Sequence, residues 1–357
     1  MSKVHNFSAG PCILPQEVLK QASEAVINFN NLNLSLIEIS HRSKDFVEVM
    51  EKARNLVREL LNVPDTYEIL FLQGGASLGF LTTAFNFMKD GGSAAYVNTG
   101  AWSSKALKEA QRLGEVNEIA SSKDKNFNYI PKNYQIPGEA SYLHITTNNT
   151  IFGTQFTKIP ISRIPVIADM SSDIFSKRIN VSDYDMIYAG AQKNMGPAGT
   201  TLYIVKKSAL GKSGREIPTM LDLETHIKKD SMFNTPPVFP IYVSMLTLQW
   251  LKDNGGVEWI EEINNKKAEL LYNEIDNNPL FEGTANHSDR SKMNATFVLT
   301  NEDLKDEFDA MWQAANISGI KGHRDVGGYR ASMYNALPLE SVQALVNVMK
   351  EFAQKHA

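Results

Sequence analysis

The sequence predicts an α/β protein: a mostly parallel central sheet flanked by helices, with a smaller C-terminal α/β domain. Three observations carry this. Short apolar runs alternate with helical patterns from Tyr67 to Val205, the signature of parallel strands joined by covering helices. The run Met186–Val205 reads as two buried β-segments joined by a polar, Gly-rich loop that holds Lys193. A length of 357 residues with 43% hydrophobic content suffices for one large domain and a smaller one.

The elements follow in order. The first fifteen residues form an extended arm punctuated by Gly and Pro. Pro15 opens a helical stretch through Asn28, with Val18, Leu19, Ala22, Ala25 and Val26 at helical spacing. A second amphipathic helix runs from Phe46 to Leu61, and Pro64 follows it. Strands are predicted at Tyr67–Leu72, Ala94–Asn98, Ser141–Thr146, Ile164–Ala168, Met186–Tyr188 and Thr200–Val205. Helices are predicted at Leu78–Met88 and Ser103–Leu113, and Ser121–Asn128 reads as a polar loop. The segment Ser231–Pro240, with three prolines, is an irregular excursion before a helix from Pro240 to about Asn254 that ends at Gly255-Gly256. A helix from Val257 to Asn277 leads to the smaller domain, with strand Ala295–Leu299, helix Glu302–Asn316, strand Gly328–Met333 and helix Leu339–His356. The expected division is residues 16–256 for the large domain and 1–15 plus 257–357 for the small one.

Composition excludes several classes. A net charge of −4, from 36 basic and 40 acidic residues, argues against a generic binder of nucleic acid or membrane surfaces. Basic residues that matter should be local clusters aimed at a small anion. Cys12, the single cysteine, cannot form an internal disulfide, which fits a reducing cytoplasm. No CxxC or HExxH spacing points to a metal. The N-terminal residues lack the apolar region of a signal peptide, and no apolar run reaches the roughly 18 residues that span a bilayer.

Candidate chemistry lies at the carboxyl ends of the strands, where such folds bind ligands. A lysine buried between apolar strands loses hydration and its pKa falls, which suits an amine that must attack an aldehyde. The strand Ile164–Ala168 ends in Asp169. A lysine for an imine and a carboxylate for a pyridinium nitrogen are the two groups that pyridoxal phosphate requires. On its own, a lysine in a strand-to-strand turn is more often a solvated surface residue, and an Asp at a strand end is more often a cap or turn former. The pair gains weight from its surroundings. Gln73-Gly-Gly-Ala-Ser77 leads from a strand into a helix, where the N–H groups of Ala76 and Ser77 suit a phosphate. Asn98-Thr-Gly-Ala-Trp102 repeats that geometry and offers an aromatic face, although core packing explains a lone Trp equally well. Thr150 follows the next strand. The pairs His41-Arg42 and His323-Arg324, with Arg330, suggest a site for a multiply charged anion, while each pair alone reads as an ordinary surface ion pair.

Taken together, these segments resemble the phosphoserine aminotransferases, which belong to the class-V group of fold-type I pyridoxal-phosphate enzymes. The resemblance runs nearly end to end. It rests on Asn6-Phe-Ser-Ala-Gly-Pro11, Ser40-His-Arg-Ser43, Gln73–Ser77, Asn98–Trp102, Ala168-Asp-Met-Ser-Ser172 and Tyr188-Ala-Gly-Ala-Gln-Lys-Asn194. Asn234-Thr-Pro-Pro237, Lys321-Gly-His-Arg324, Gly327-Gly-Tyr-Arg-Ala-Ser332 and Tyr334–Leu339 complete it. It implies pyridoxal 5'-phosphate as cofactor, Lys193 as the Schiff-base lysine and Asp169 as the ring-nitrogen partner. It places Trp102 on the ring, Thr150 at the ring hydroxyl, and Ala76, Ser77 and Gln192 around the phosphate. Asn234 and Thr235 are implied to reach the cofactor phosphate of a second subunit, making a homodimer with shared sites. His41, Arg42, His323, Arg324 and Arg330 are implied to hold the anionic groups of phosphoserine, 3-phosphohydroxypyruvate and glutamate. The implied reaction converts 3-phosphohydroxypyruvate and glutamate to phosphoserine and 2-oxoglutarate, in serine biosynthesis; a phosphohydroxythreonine step in vitamin B6 biosynthesis stays open. The competing reading is a class-V enzyme of another reaction class, a lyase or a desulfurase with Cys12 as its thiol. The chain departs from the family pattern at Gly79, where many relatives carry glutamine, and at Asn148-Asn149, where Asn-Glu is usual.

Overall fold

The structure, a computed structural model, describes residues 4–356. Its centre is a seven-stranded sheet, β1 (Tyr67–Leu72), β2 (Ser93–Asn98), β3 (Glu115–Ser121), β4 (Leu143–Thr146), β5 (Val166–Asp169), β6 (Met186–Gly190) and β7 (Thr201–Lys206), ordered β1-β7-β6-β5-β4-β2-β3. The pairs β2–β3, β2–β4, β4–β5 and β5–β6 are parallel. Only β7 is reversed, antiparallel to both β1 and β6. That reversal is what allows the loop holding Lys193 to be short: an antiparallel return needs no crossover helix.

The central strands are buried along almost their whole length and read as continuous apolar runs because helices cover both faces. Alternate side chains go to opposite cores. Ile69, Phe71, Leu143, Ile145, Ala168, Ile187 and Ile204 face α1 (Gln16–Ile27), α2 (Lys44–Leu60) and α6 (Val238–Asp253). Leu70, Tyr96, Ile167, Tyr188 and Tyr203 face α3 (Gly75–Phe87), α4 (Ala101–Ala110) and the short α5 (Leu223–Ile227). Gly79, in α3, lies against Tyr188. A Cβ there would come within 2.8 Å of the ring, so the aromatic ring fills the space a longer residue at position 79 needs.

α7 (Gly256–Asn277) links this unit to a second core. Its early residues Val257 and Ile260 pack with the first core, and Ala268, Leu271 and Ile275 with the second. The second core surrounds an antiparallel sheet, β8 (Phe281–Gly283), β9 (Asn294–Leu299) and β10 (Tyr329–Ser332), backed by α8 (Lys305–Ala314) and α9 (Leu339–Lys355). The N-terminal arm joins it: His5–Asn6 pair in parallel with Ile317–Ser318, and Phe7 is buried in that core.

Three expectations are corrected. The edge strand β3 was not foreseen, because Glu115–Ser121 is polar and part-exposed, with a 3₁₀ turn at Lys123–Lys125 inside the predicted loop. α6 begins at Val238, and Pro240 sits in its first turn, where a missing N–H costs nothing. Leu19 and Val26 of α1 are 42% and 38% exposed; only Val18, Ala22 and Ala25 enter the core, so the apolar stripe is wider than the face that packs.

Candidate active site

The carboxyl ends of β1, β2, β4, β5 and β6 converge on a cavity of about 300 Å³. Lys193 lies just beyond β6. The loop is tightened by the Met195 and Gly196 N–H groups, both donating to the Ala191 carbonyl, and the Ala191 N–H donates to Thr200. The Lys193 ammonium donates to Thr150 Oγ1 at 2.8 Å. Burial brings this lysine down to about 8, against the pull of Asp169 and with help from the Arg330 charge.

Asp169 closes β5, one strand away from β6, and is 4% exposed. It accepts from the Ser171 N–H at 2.9 Å, and Ser171 Oγ accepts from the Gly190 N–H at 3.1 Å, so one serine ties the two strand ends together. Burial raises the Asp169 carboxyl above its ordinary value, and Ser171 and Lys193 act the other way. A carboxylate this deep calls for a cationic partner in the space in front of it.

α3 starts abruptly because Gly74 and Gly75 take positive φ of 100° and 64°, which side chains other than glycine rarely adopt. The helix has no side-chain cap, so the first-turn N–H groups at Gly75, Ala76 and Ser77 face the cavity and attract an anion. Trp102, in the first turn of α4, lines the same cavity. Lys193 Nζ lies 5.9 Å from its ring centroid, and its Nε1 is buried without a partner among the described residues. Arg330, on β10, reaches in from the second core; Nη1 donates to the Thr150 carbonyl at 3.5 Å, and its buried Nε has no partner among the described residues.

Thus Ala76, Ser77, Trp102, Thr150, Asp169, Gln192, Lys193, His323 and Arg330 come together in one cavity. His41, Arg42, Arg324, Asn234 and Thr235 do not line it. Arg42 is exposed on the loop before α2, Arg324 is 92% exposed beside Asp325, and Asn234 lines a separate cavity next to Gln73 and Gly74. Gln73 Nε2 donates to the Thr235 carbonyl at 3.1 Å, so this segment is held near α3 without entering the main cavity of its own chain. Sequence reasoning assigned no role to Ala9 and Gly10, which form part of the cavity wall, nor to Thr146, Asn148 and Ser171; the motifs Asn6–Pro11 and Ala168–Ser172 were the available signal. The buried Asn149 side chain accepts from Thr99 Oγ1 at 3.1 Å and donates to Thr154 Oγ1 at 3.1 Å, an internal role that accounts for an amide at that position.

Cys12 donates its thiol to the Lys193 carbonyl, and its N–H donates to the Gln192 carbonyl at 3.2 Å. Burial pushes the thiol up to about 12, so it stays protonated and is unsuited to be a nucleophile. This removes the physical basis of the desulfurase alternative. Among the described residues no group of His, Cys, Asp and Glu could hold a metal, and no helix is long and apolar enough to cross a membrane.

A buried lysine and a buried aspartate on adjacent strand ends, with an uncapped helix start beside them, suit an aminotransferase site on this fold. The family model for class-V aminotransferases matches residues 4–345, and the chain belongs to that family. Within it the relatives are phosphoserine aminotransferases, and the chain belongs among them. The phosphoserine aminotransferase of Flavobacterium psychrophilum is 65% identical over 99% of each chain. The solved phosphoserine aminotransferase of Bacillus circulans subsp. alkalophilus is 42% identical, covers 99% of each chain and superposes with a TM-score of 0.96. A structure described as pyridoxal-phosphate-bound phosphoserine aminotransferase, from Trichomonas vaginalis, is 35% identical over 98% of this chain and 100% of that one, with a TM-score of 0.93.

Proposed function

We propose that this chain transfers an amino group from L-glutamate to 3-phosphohydroxypyruvate, giving 2-oxoglutarate and O-phospho-L-serine, with pyridoxal 5'-phosphate held at Lys193. The observation that carries it is the depressed lysine facing a buried aspartate in a cavity that also presents a helix N-terminus and Arg330. The unpartnered Trp102 Nε1, the open first turn of α3 and the buried Asp169 fit a planar ring with a phosphate and a protonated nitrogen. When bound, the cofactor supplies the aldehyde that takes up the amino group and the pyridinium that withdraws electrons from the substrate Cα.

The chain's own groups do the rest. Lys193 anchors the cofactor and, once its amine is free, moves the proton from the substrate Cα as general base. Asp169 would keep the ring nitrogen protonated. Ala76, Ser77 and Gln192 would hold the phosphate, with Trp102 at the ring and Thr150 at the ring hydroxyl. Arg330 clamps the substrate α-carboxylate with its planar fork.

His41 and Arg42, with His323 and Arg324, receive the substrate phosphate or the side-chain carboxylate of glutamate. Arg42, Asn234 and Thr235 are exposed and outside the chain's own cavity, which supports a homodimer in which each subunit completes the other's site. The exposed Leu32, Leu34 and Ile37, close in sequence to His41, provide apolar surface for such a contact. In this reading residues 16–256 form the cofactor domain and 1–15 with 257–357 the smaller domain, the reaction belongs to serine biosynthesis in the reducing cytoplasm, and the phosphohydroxythreonine step of vitamin B6 biosynthesis is a second use of the same site.

The visible spectrum tests the assignment. Loss of the cofactor band on adding glutamate, and its return with 3-phosphohydroxypyruvate, are expected; a colourless protein that takes up no pyridoxal phosphate rejects it. Arg42→Ala is expected to raise KM for phosphoserine and glutamate roughly tenfold, as loss of one charge-assisted contact does, with cofactor binding intact. Steady-state kinetics with an unchanged KM would remove Arg42 from the site. The lysine's position near 8 also sets a pH dependence. The neutral amine fraction grows about tenfold per pH unit below pKa and levels off above it. Covalent uptake of pyridoxal phosphate by cofactor-free protein should therefore climb from pH 6 to 8 and flatten above; a rate still climbing at pH 10 would show an ordinary lysine.

A further inference from the structure

Lys267 lies in the middle of α7 and is fully buried. Among the described residues no carboxylate pairs with it. Its ammonium instead donates to three backbone carbonyls, Met333 at 3.0 Å, Tyr334 at 2.9 Å and Leu337 at 3.1 Å. A buried cation satisfied only by carbonyl oxygens costs folding energy, and burial brings this lysine down to about 7. The mechanism above gives it no part.

The segment it holds leads straight into the site. Residues 333–337 follow β10, which carries Arg330. The Tyr334 hydroxyl donates to the Ala9 carbonyl at 2.9 Å and accepts from Asn294 Nδ2 at 3.2 Å, and it approaches the Thr150 hydroxyl. Ala9 and Thr150 are both walls of the cavity. The Asn335 N–H donates to Asn194 Oδ1 at 3.0 Å, one residue from Lys193. An apolar residue at 267 would leave the Met333 and Leu337 carbonyls without this donor and the Tyr334 carbonyl with only the Leu337 N–H, and the segment would have to move to find others.

Building on the aminotransferase reading, we propose that Lys267 is a positioning residue: by gathering the 333, 334 and 337 carbonyls it sets Arg330 and the Ala9–Gly10 wall for the substrate carboxylate. It acts on the substrate side of the cavity, since the helix start at Ala76–Ser77 and the strand end at Asp169 are built by the other core.

The test is Lys267→Met, which keeps the length and removes the donors, beside Tyr334→Phe, which keeps the ring and removes the hydroxyl's links to Ala9, Asn294 and Thr150. Both are compared with wild type for pyridoxal-phosphate affinity, and for kcat and KM with glutamate and phosphoserine. The expected result is KM raised about tenfold for both substrates in Lys267→Met, smaller rises in Tyr334→Phe, kcat within about threefold and cofactor affinity unchanged. Unchanged KM in a loaded Lys267→Met protein overturns the inference, as does parallel loss of cofactor affinity and kcat. If Lys267→Met does not fold, Tyr334→Phe decides by the same KM criterion. A wild-type protein that does not respond to glutamate rejects the aminotransferase reading and this inference with it; responding wild type with unaltered variants rejects the inference alone.

Discussion

Lys193→Ala is expected to lower kcat by at least about 10⁴-fold, the upper range for removing a positioned acid–base group, because the same residue both anchors the cofactor and moves the Cα proton. Geometry leaves no substitute. Among the described residues the cavity holds only one lysine, and Arg330 is far too basic to give up a proton. Lys267 is fully buried and committed to three carbonyls. The fold should persist, since Lys193 makes one side-chain hydrogen bond, to Thr150, and its ammonium is unfavourably buried. A circular dichroism spectrum and melting temperature like wild type, with single-turnover activity lost, is the expected pair of results. Activity within tenfold of wild type would show that another amine carries the chemistry.

Asp169→Asn is expected to lower kcat about 10²–10³-fold, the range for removing one electrostatic stabiliser of developing charge in a dry site. Asparagine keeps an acceptor for the Ser171 N–H but cannot hold a proton on a ring nitrogen. Stability should respond in the opposite sense. Burial disfavours the Asp169 carboxylate in the cofactor-free chain, so a neutral amide of the same shape relieves a penalty. The cofactor-free variant should melt no lower than wild type at pH 7.5, whereas the loaded variant loses part of the gain that cofactor brings to wild type. Calorimetry with and without pyridoxal phosphate, beside the kinetics, checks both. A cofactor-free variant that melts well below wild type would make Asp169 a structural residue.

Much of the site was legible because each element exposes its chemistry at a strand's carboxyl end. The run Met186–Val205 announced two buried strands and a short return, and the structure supplies them as β6 and β7. Asp169 stood out as a carboxylate closing an apolar run, and Gly74-Gly75 as the break before a helix. Other features were silent for identifiable reasons. β3 is half exposed, so its side chains carry no apolar alternation. Gly10 packs against the Lys193 stem from more than 180 residues away in sequence, and no local pattern announces such a contact. Lys267 sits in a helix whose polar positions read as solvated, and only the approach of residues 333–337 turns it into a buried donor.

The sequence by itself determined the strand and helix types, the pairing of a lysine with an aspartate, and the phosphate-ready helix start. Those depend on local periodicity, on backbone freedom at glycine and on the chemistry of single side chains. Tertiary structure decided which of the charged and polar residues share a cavity, gathering His323 and Arg330 while leaving Arg42, Arg324, Asn234 and Thr235 outside it. It also moved the Lys193 pKa down and the Asp169 pKa up, because burial is a property of everything packed around a group rather than of the residues beside it in the chain.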